Sequence, residues 1–221
     1  MKRLILIIAA ALALASPICS AQESGSSKIK IDYLVKGSLG WAYHGAFIPG
    51  AIAPQVGAMA DIAVLNPLTI QTGIELKLTG FGNRTDFSGL SGSSSDFYEV
   101  YHYRFNYIAI PVHIKYNDPD NPESFLNGLY AGLGLNIPFA GSYNWKRYKT
   151  GLKSKSVDSS GSGKVTLDKL TSPAISICLG FDQKINEQWG FTVQIESLLN
   201  TRASTEGYNI NSFRIGAIYY L

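Results

Sequence analysis

The chain is predicted to be an all-β protein, an eight-stranded antiparallel transmembrane up-and-down β-barrel. Three observations carry that expectation. Apolar and polar residues alternate at period two through eight long segments, the connections between them alternate long and short, and the polar parity mixes ions with glycine.

Ahead of the first segment, Lys2 and Arg3 precede an apolar stretch from Leu4 to Ala15, and Cys19-Ser20-Ala21 is a small-residue site. This is the pattern of a cleaved secretory signal, so a signal peptide is expected over 1–21 and a barrel domain over 22–221. The apolar stretch is shorter than the roughly 20 residues a membrane-spanning helix needs, and no later segment is continuously apolar at that length. Ile18 and Pro17 do not suit lipid attachment at Cys19. Losing Lys2 and Arg3 takes the formal charge from +3 to +1, which gives no basis for a nucleic acid or other polyanion as partner. Cys178 would then be the sole cysteine, expected to pack inertly with no disulfide. With 13 tyrosines, 22 glycines and 16% charged residues, the composition suits sheets, turns and interfacial belts.

The first segment sets Ile29, Ile31, Tyr33, Val35, Leu39 and Trp41 against Lys30, Asp32, Lys36 and Ser38. The second, over 51–65, sets Ile52, Val56, Ala58, Ile62 and Val64 against Gln55, Gly57 and Asp61. Asn66-Pro67 turns it into the third, over 68–82, where Leu68, Ile70, Ile74, Leu76 and Leu78 oppose Gln71, Gly73, Glu75 and Lys77. A polar run from Asn83 to Asp96 is expected to be a loop. The fourth segment runs from Tyr98 to Tyr116, with Ile108, Ile110, Val112 and Ile114 against Tyr107, His113 and Lys115. Pro111 removes a ladder donor there, which predicts a bulge.

After a proline-containing turn, the fifth, over 128–140, sets Leu129, Ala131, Leu133, Leu135 and Ile137 against Tyr130, Gly132, Gly134 and Asn136. Gly141 to Leu170 is expected to be a long loop, disordered at its Ser159–Gly163 tip. The sixth, over 172–185, opposes Ile175, Ile177, Leu179 and Phe181 to Ser176, Cys178, Gly180 and Asp182. The seventh, over 189–200, opposes Phe191, Val193 and Ile195 to Thr192, Gln194 and Glu196. The last sets Phe213, Ile215, Ala217, Tyr219 and Leu221 against Arg214, Gly216 and Tyr220.

Alternation alone does not distinguish a membrane barrel from a soluble one, since the same pattern can be turned inside out. Two features choose. Small residues beside long ionic ones describe a narrow lumen filled by side chains. Aromatics gather at both segment ends, Trp41, Tyr43 and Phe139 toward the long connections and Tyr33, Tyr116, Trp189 and Tyr219 toward the short ones, as in the girdles of a membrane barrel.

The stretch Tyr107-Ile108-Ala109-Ile110-Pro111-Val112-His113-Ile114-Lys115-Tyr116 resembles the Ile-Pro strand of the PorT-like outer membrane β-barrel proteins of Bacteroidota, and the strand layout resembles that family over essentially all of 22–221. The chain departs from the usual barrel ending, with Leu221 where an aromatic is common, beside Tyr219 and Tyr220. The resemblance implies a bacterial outer membrane location, insertion by the barrel-assembly machinery and a role tied to secretion.

Lys36, Glu75, Lys77, Lys115, Glu196 and Arg214, with Lys30 and Asp32, are the candidate lumen ions, and an eight-stranded barrel has room for little beyond its own side chains, so a salt-bridge plug is favoured over a pore. The 141–170 stretch has a local balance of +5, and Trp145, Lys146, Arg147 and Lys149, near Tyr143 and Tyr148, are its candidate external contacts for lipopolysaccharide phosphates or an envelope protein partner. His44 and His102 stand toward the long-connection rim, where a lipid-modifying enzyme would place a catalytic His. His113 reads as a lumen residue. No nucleophile elbow, ligand spacing or paired carboxylates appear, so no cofactor or metal is expected. The expectation is a non-enzymatic barrel serving as anchor, display scaffold or envelope-assembly component, with a small lipid-modifying enzyme or a narrow channel as the alternatives.

Overall fold

The computed structural model describes residues 30–43, 50–87, 97–149, 157–165, 173–202 and 207–221. The expected signal peptide and His44 lie outside them. The strands are β1 (Ile31–Tyr43), β2 (Ala51–Ile52), β3 (Gln55–Leu65), β4 (Leu68–Phe87), β5 (Phe97–Tyr116), β6 (Leu129–Lys149), β7 (Val157–Val165), β8 (Ala174–Lys184), β9 (Trp189–Arg202) and β10 (Gly207–Tyr220). Eight of them form an antiparallel ring, β1-β3-β4-β5-β6-β8-β9-β10, closed by β10 pairing back onto β1 from Leu34↔Tyr220 to Tyr43↔Asn211. The other two are accessories. β2 continues the register of β3 along β1, bridged by the Ala53 amide donating to Gly40 O at 2.9 Å, so 51–65 is one wall strand interrupted at Pro54.

Period-two alternation sorts the wall into two faces. Ile114 and Leu133 on the outside are 60% and 57% exposed, whereas Lys36 and Glu75 on the inside are 1% exposed. A soluble barrel would invert that distribution, because leaving large apolar side chains in water forfeits about 1.5–3 kcal/mol each. The outer band belongs in hydrocarbon, and ring closure satisfies the backbone there. Trp41, Tyr43 and Phe139 are exposed at the rim of the long connections. At the opposite rim Trp189 and Tyr219 meet edge to face at 4.9 Å.

The short-connection rim is firmly built. Asn127 Oδ1 accepts from the Asp118 amide at 2.7 Å and its Nδ2 donates to Asn121 O at 2.8 Å, organising the proline-containing turn before β6. Gly128 closes that turn at φ 92°, in the left-handed region that glycine enters without strain.

The structure corrects three expectations. Pro111 carries no bulge. It faces Gly134 on β6 in unbroken register, and on the β4 side the ladder lapses at Gly73 and Ile74, then resumes unshifted at Glu75↔Ala109. A missing donor is thus absorbed by unbridged positions, helped by Thr72 Oγ1 donating to Pro111 O at 2.8 Å. A bulge falls instead at another Ile-Pro pair, Ile137-Pro138, where Asn106↔Ala140 gives way to Tyr107↔Pro138 and Phe139 is the extra residue.

Second, the Asn83–Asp96 run is not wholly a loop, since β4 reaches Phe87 and β5 begins at Phe97. Third, Gly141–Leu170 is not a long loop. β6 continues to Lys149, and β7, containing the supposedly disordered Ser159–Gly163 run, pairs with it from Gly141↔Val165 to Tyr148↔Val157. Aromatic side chains on β6 cover the small residues of β7. A Cβ on Gly161 would stand 2.5 Å from Trp145 Nε1, and one on Gly163 2.6 Å from the Tyr143 hydroxyl. The glycines leave room for the rings, which supply the packing that β7's own side chains lack.

The wall is therefore lopsided. β4 and β5 have 20 residues and β6 21, against 11 in β3 and β8. Together with β7 the long strands make a sheet that rises beyond the ring on the long-connection side.

Candidate functional site

Two regions collect the unusual chemistry, the lumen and the raised sheet. Alternate residues of the ring strands point inward, so the lumen is layered along the barrel axis. Nearest the short turns is a vestibule of about 500 Å³ bordered by Asp32, Asn66, Asp118, Asn127, Lys184 and Tyr220. Lys30 and Asp32, expected as lumen ions, pair at 3.2 Å at this mouth and are exposed there. The turn rim is where the strand ends, and water reaches both.

The vestibule floor is a buried network. Lys36 Nζ donates to both Asp182 oxygens at 2.9 Å and to Gln71 Oε1 at 3.2 Å. Gln71 Nε2 donates to Asp61 at 2.8 Å and to Asp182 at 3.0 Å. Lys115 donates to Asp61 at 2.8 Å and lies 3.5 Å from Asp182. His113 Nδ1 meets Gln71 Oε1 at 3.2 Å, and its ring stacks on Tyr130 at 4.8 Å, over which Lys36 Nζ also sits at 4.7 Å.

Above it lies a second ionic layer. Glu196 accepts from Lys77 at 2.7 Å and from Arg214 Nη1 at 2.6 Å. Glu75 pairs with Lys77 at 3.2 Å and accepts from Gln55 Nε2 at 2.6 Å. The Arg214 Nε–H donates to Ala53 O at 3.4 Å. A void of about 10 Å³ among Lys77, Thr79, Asn136, Glu196 and Arg214 is at the lower limit for one water.

Each layer combines two cations with two carboxylates, Lys36 and Lys115 with Asp61 and Asp182, then Lys77 and Arg214 with Glu75 and Glu196. Neutral, multiply bonded clusters are the form in which low-dielectric surroundings tolerate charge.

Toward the long connections the filling turns apolar. Phe81, Phe105 and Tyr107 pack with Ala42, Ala53, Leu198 and Ile210, and Tyr103 and Tyr143 close over them. Phe81 stacks on Tyr103 at 5.1 Å and on Phe105 at 6.1 Å. These rings cap the ionic layers.

The six lumen residues named from sequence are all buried and joined in these two layers. Asp61, Gln71 and Asp182, which stand on the polar parity but not among the candidate lumen ions, belong to the same network. A charge count could have found them: Lys36, Lys77, Lys115 and Arg214 against Glu75 and Glu196 leaves two buried cations without counter-ions. Asp61 and Asp182 supply both.

On the raised sheet the four candidate contacts are divided between faces. The extra residue at Phe139 exchanges inward and outward positions along β6, so Trp145 and Arg147 point inward with Tyr101 and Glu99 opposite, while Lys146 points outward. Lys149 ends β6, and its side chain lies outside the described residues. Arg147 makes two hydrogen bonds to Glu99 Oε1, 2.9 Å from Nε and 2.7 Å from Nη2, and Tyr101 donates to Glu99 Oε2 at 2.8 Å. Burial opposes ionisation of Glu99, but the hydrogen bonds from Arg147 and Tyr101 outweigh it and hold the carboxyl below its usual range. The bond to Glu99, then burial, pushes the Tyr101 phenol up to about 12.

His102 faces outward between Gly82 and Asn144, without a carboxylate at either cross-strand position. Among the described residues no group of His, Cys, Asp or Glu is arranged to hold a metal ion. Cys178 is buried in the lumen as a free thiol.

No protein-family model and no curated protein matches the chain. Solved structures do resemble it in shape. Ail, the attachment invasion locus protein of Yersinia pestis, aligns at TM-score 0.40 with 9% identity, covering 88% of this chain and 100% of its own. Neisserial surface protein A aligns at 0.39 with 9% identity over 87% of this chain and 99% of its own. CarO of Acinetobacter baumannii aligns at 0.41 with 13% identity over 84% and 97%. The assignment as an eight-stranded membrane barrel rests on the ring closure, the inside-out burial and the girdles of this chain itself.

Proposed function

We propose that the protein is a non-enzymatic barrel of the bacterial outer membrane that anchors its raised β4–β7 sheet as a display scaffold for an envelope protein partner. The supporting observation is the contrast between a lumen filled by neutral ion clusters and capped by rings, and a wall that extends on one side well past the ring. A filled lumen disfavours conduction, and an outward His102 without a neighbouring acid disfavours proton-transfer chemistry at that residue. The PorT-like resemblance favours a secretion-linked assembly as the partner, and the barrel-assembly machinery as the route of insertion.

Cell fractionation combined with heat-modifiable gel mobility tests the location. The protein is expected in the outer membrane fraction, migrating faster unheated than heated. Recovery as a soluble periplasmic protein would overturn the proposal. In planar bilayers no stable conductance step is expected, and a steady ohmic channel would favour the pore. Lipid A composition is expected to be the same with H102A as with the intact chain. A pull-down on the raised sheet should recover an envelope protein, and should lose it when 141–165 is replaced by a short turn.

A further inference from the structure

The outward face of the raised sheet carries a concentration of positive charge at a definite depth. On β5 the outward positions above the apolar Ile114–Ile108 run are Asn106, Arg104, His102 and Val100. On β6 they are Ser142, Asn144 and Lys146, and on β7 Lys164, Ser162 and Ser160. The register sets them in rows: Arg104, Ser142 and Lys164, then His102, Asn144 and Ser162, then Val100, Lys146 and Ser160. Arg104, Lys146 and Lys164 are exposed. Those three rows contain no carboxylate, and none of the three cations makes an ion pair among the described residues. On the inner face, by contrast, Arg147 is neutralised by Glu99. The rows are close enough to interact, since burial first, and then the charges of Lys146 and Arg104, hold the His102 imidazole below its usual range.

The depth follows from strand geometry. From Tyr116 to Asn106, β5 climbs about 33 Å along its axis and, at a tilt of about 40°, about 25 Å along the membrane normal. That is the height of a barrel's apolar band, so the Arg104–Lys164 row stands about 5 Å above its edge, within the headgroup layer. Lys146, level with Val100, stands about 10 Å above that row and so about 15 Å above the edge. Long connections mark the external side of membrane barrels, so this layer is the outer leaflet.

We propose that Arg104, Lys146 and Lys164, with the hydroxyl and amide groups of Ser142, Asn144 and Ser162 between them, bind the phosphate groups of a phosphorylated glycolipid of the outer leaflet. The inference rests on the membrane-barrel assignment and adds the ligand class for one face of the raised sheet. Guanidinium and ammonium donors meet phosphate oxygens in charge-assisted hydrogen bonds, and neutral donors complete the set. The acyl chains of such a lipid would lie along Ile108, Ile110 and Ile137 below. The face is one-sided, because β7 brings Lys164 to it only where the wall is raised.

The test uses the full chain refolded in detergent and titrated with diphosphoryl lipid A, with the same lipid dephosphorylated and with inorganic phosphate, binding being read by native mass spectrometry. The phosphorylated lipid is expected to bind tighter than the dephosphorylated one by roughly tenfold or more. The exposed triple variant R104Q/K146Q/K164Q should lose that preference, and K184Q at the opposite rim should keep it. Retained preference in the triple variant, or none in the intact chain, would overturn the inference. Displacement of the lipid by millimolar inorganic phosphate would also overturn it, by showing a simple anion site. Heat-modifiable mobility is read on every sample. A chain without it counts against the barrel, whereas a chain with it but without the preference counts against this inference alone.

Discussion

From the vestibule floor to mid-wall the lumen is filled by ions, and from mid-wall to the long-connection rim by rings. The two fillings reach the same end, exclusion of a water path, by different physics. The ionic half depends on specific counter-charges, most of them brought from another strand, so its parts are not interchangeable. Asp182 serves Lys36, Lys115 and Gln71 at once. The aromatic half depends on volume and contact area, which neighbouring side chains can partly make up. One half should be brittle to substitution and the other forgiving.

Four measurements bear on that contrast. Glu196→Ala leaves Lys77 and Arg214 buried beside a lost carboxylate and is expected to destabilise the barrel by about 3–5 kcal/mol, read by urea unfolding in lipid vesicles. A cost under about 1 kcal/mol would erase the contrast. Phe105→Leu, which keeps the site apolar at somewhat smaller volume, should cost about 1 kcal/mol by the same assay. Gly163→Val presses on the Tyr143 ring that Tyr103 backs at 6.1 Å. It should loosen the β6–β7 hairpin by about 1 kcal/mol, seen as faster proteolysis between β6 and β7, with the unfolding midpoint of the ring unchanged.

The smallest effect concerns acid. The Glu99 carboxyl has its pKa lowered in the folded state, so its contribution is complete above the unfolded carboxylate value and is lost as pH falls through the lower folded one. The partner Arg147 is 37% exposed, so only a few tenths of a kcal/mol are expected, visible as a change in Trp145 fluorescence at low pH that Glu99→Gln abolishes.

The fold was legible because the solvent on each side of the wall writes its preference at every second residue. The eight segments and their two faces follow from that alternation, while the aromatics at the segment ends and the glycines among the ions choose which face meets lipid. What escaped on the raised sheet was first the strand itself: read as a loop, Trp145, Lys146 and Arg147 looked like one cluster, whereas successive residues of β6 alternate between two sides, and the extra residue at Phe139 decides which of them face inward. Pro111 and Pro138 each follow an isoleucine in a wall strand, and nothing local distinguishes Pro111, which the ladder absorbs, from Pro138, at which it slips. β7 was hidden for a related reason. Its Ser/Gly composition has the signature of a disordered tip, and the aromatic rings that give it packing belong to β6. In the lumen the long cations were conspicuous, whereas Asp61 and Asp182 had to be sought by balancing charge.

The ionic layers bear on how the ring forms as well as on how it persists. Lys36 comes from β1, Asp61 from β3, Gln71 from β4, Lys115 from β5 and Asp182 from β8, while Glu196 and Arg214 lie on the last two strands. No partial sheet holds all of these partners. A ring open or out of register would hold several of these partners apart, so the pairing of β10 onto β1 is part of what keeps the lumen neutral. The network thus ties the neutrality of the lumen to a ring closed in register.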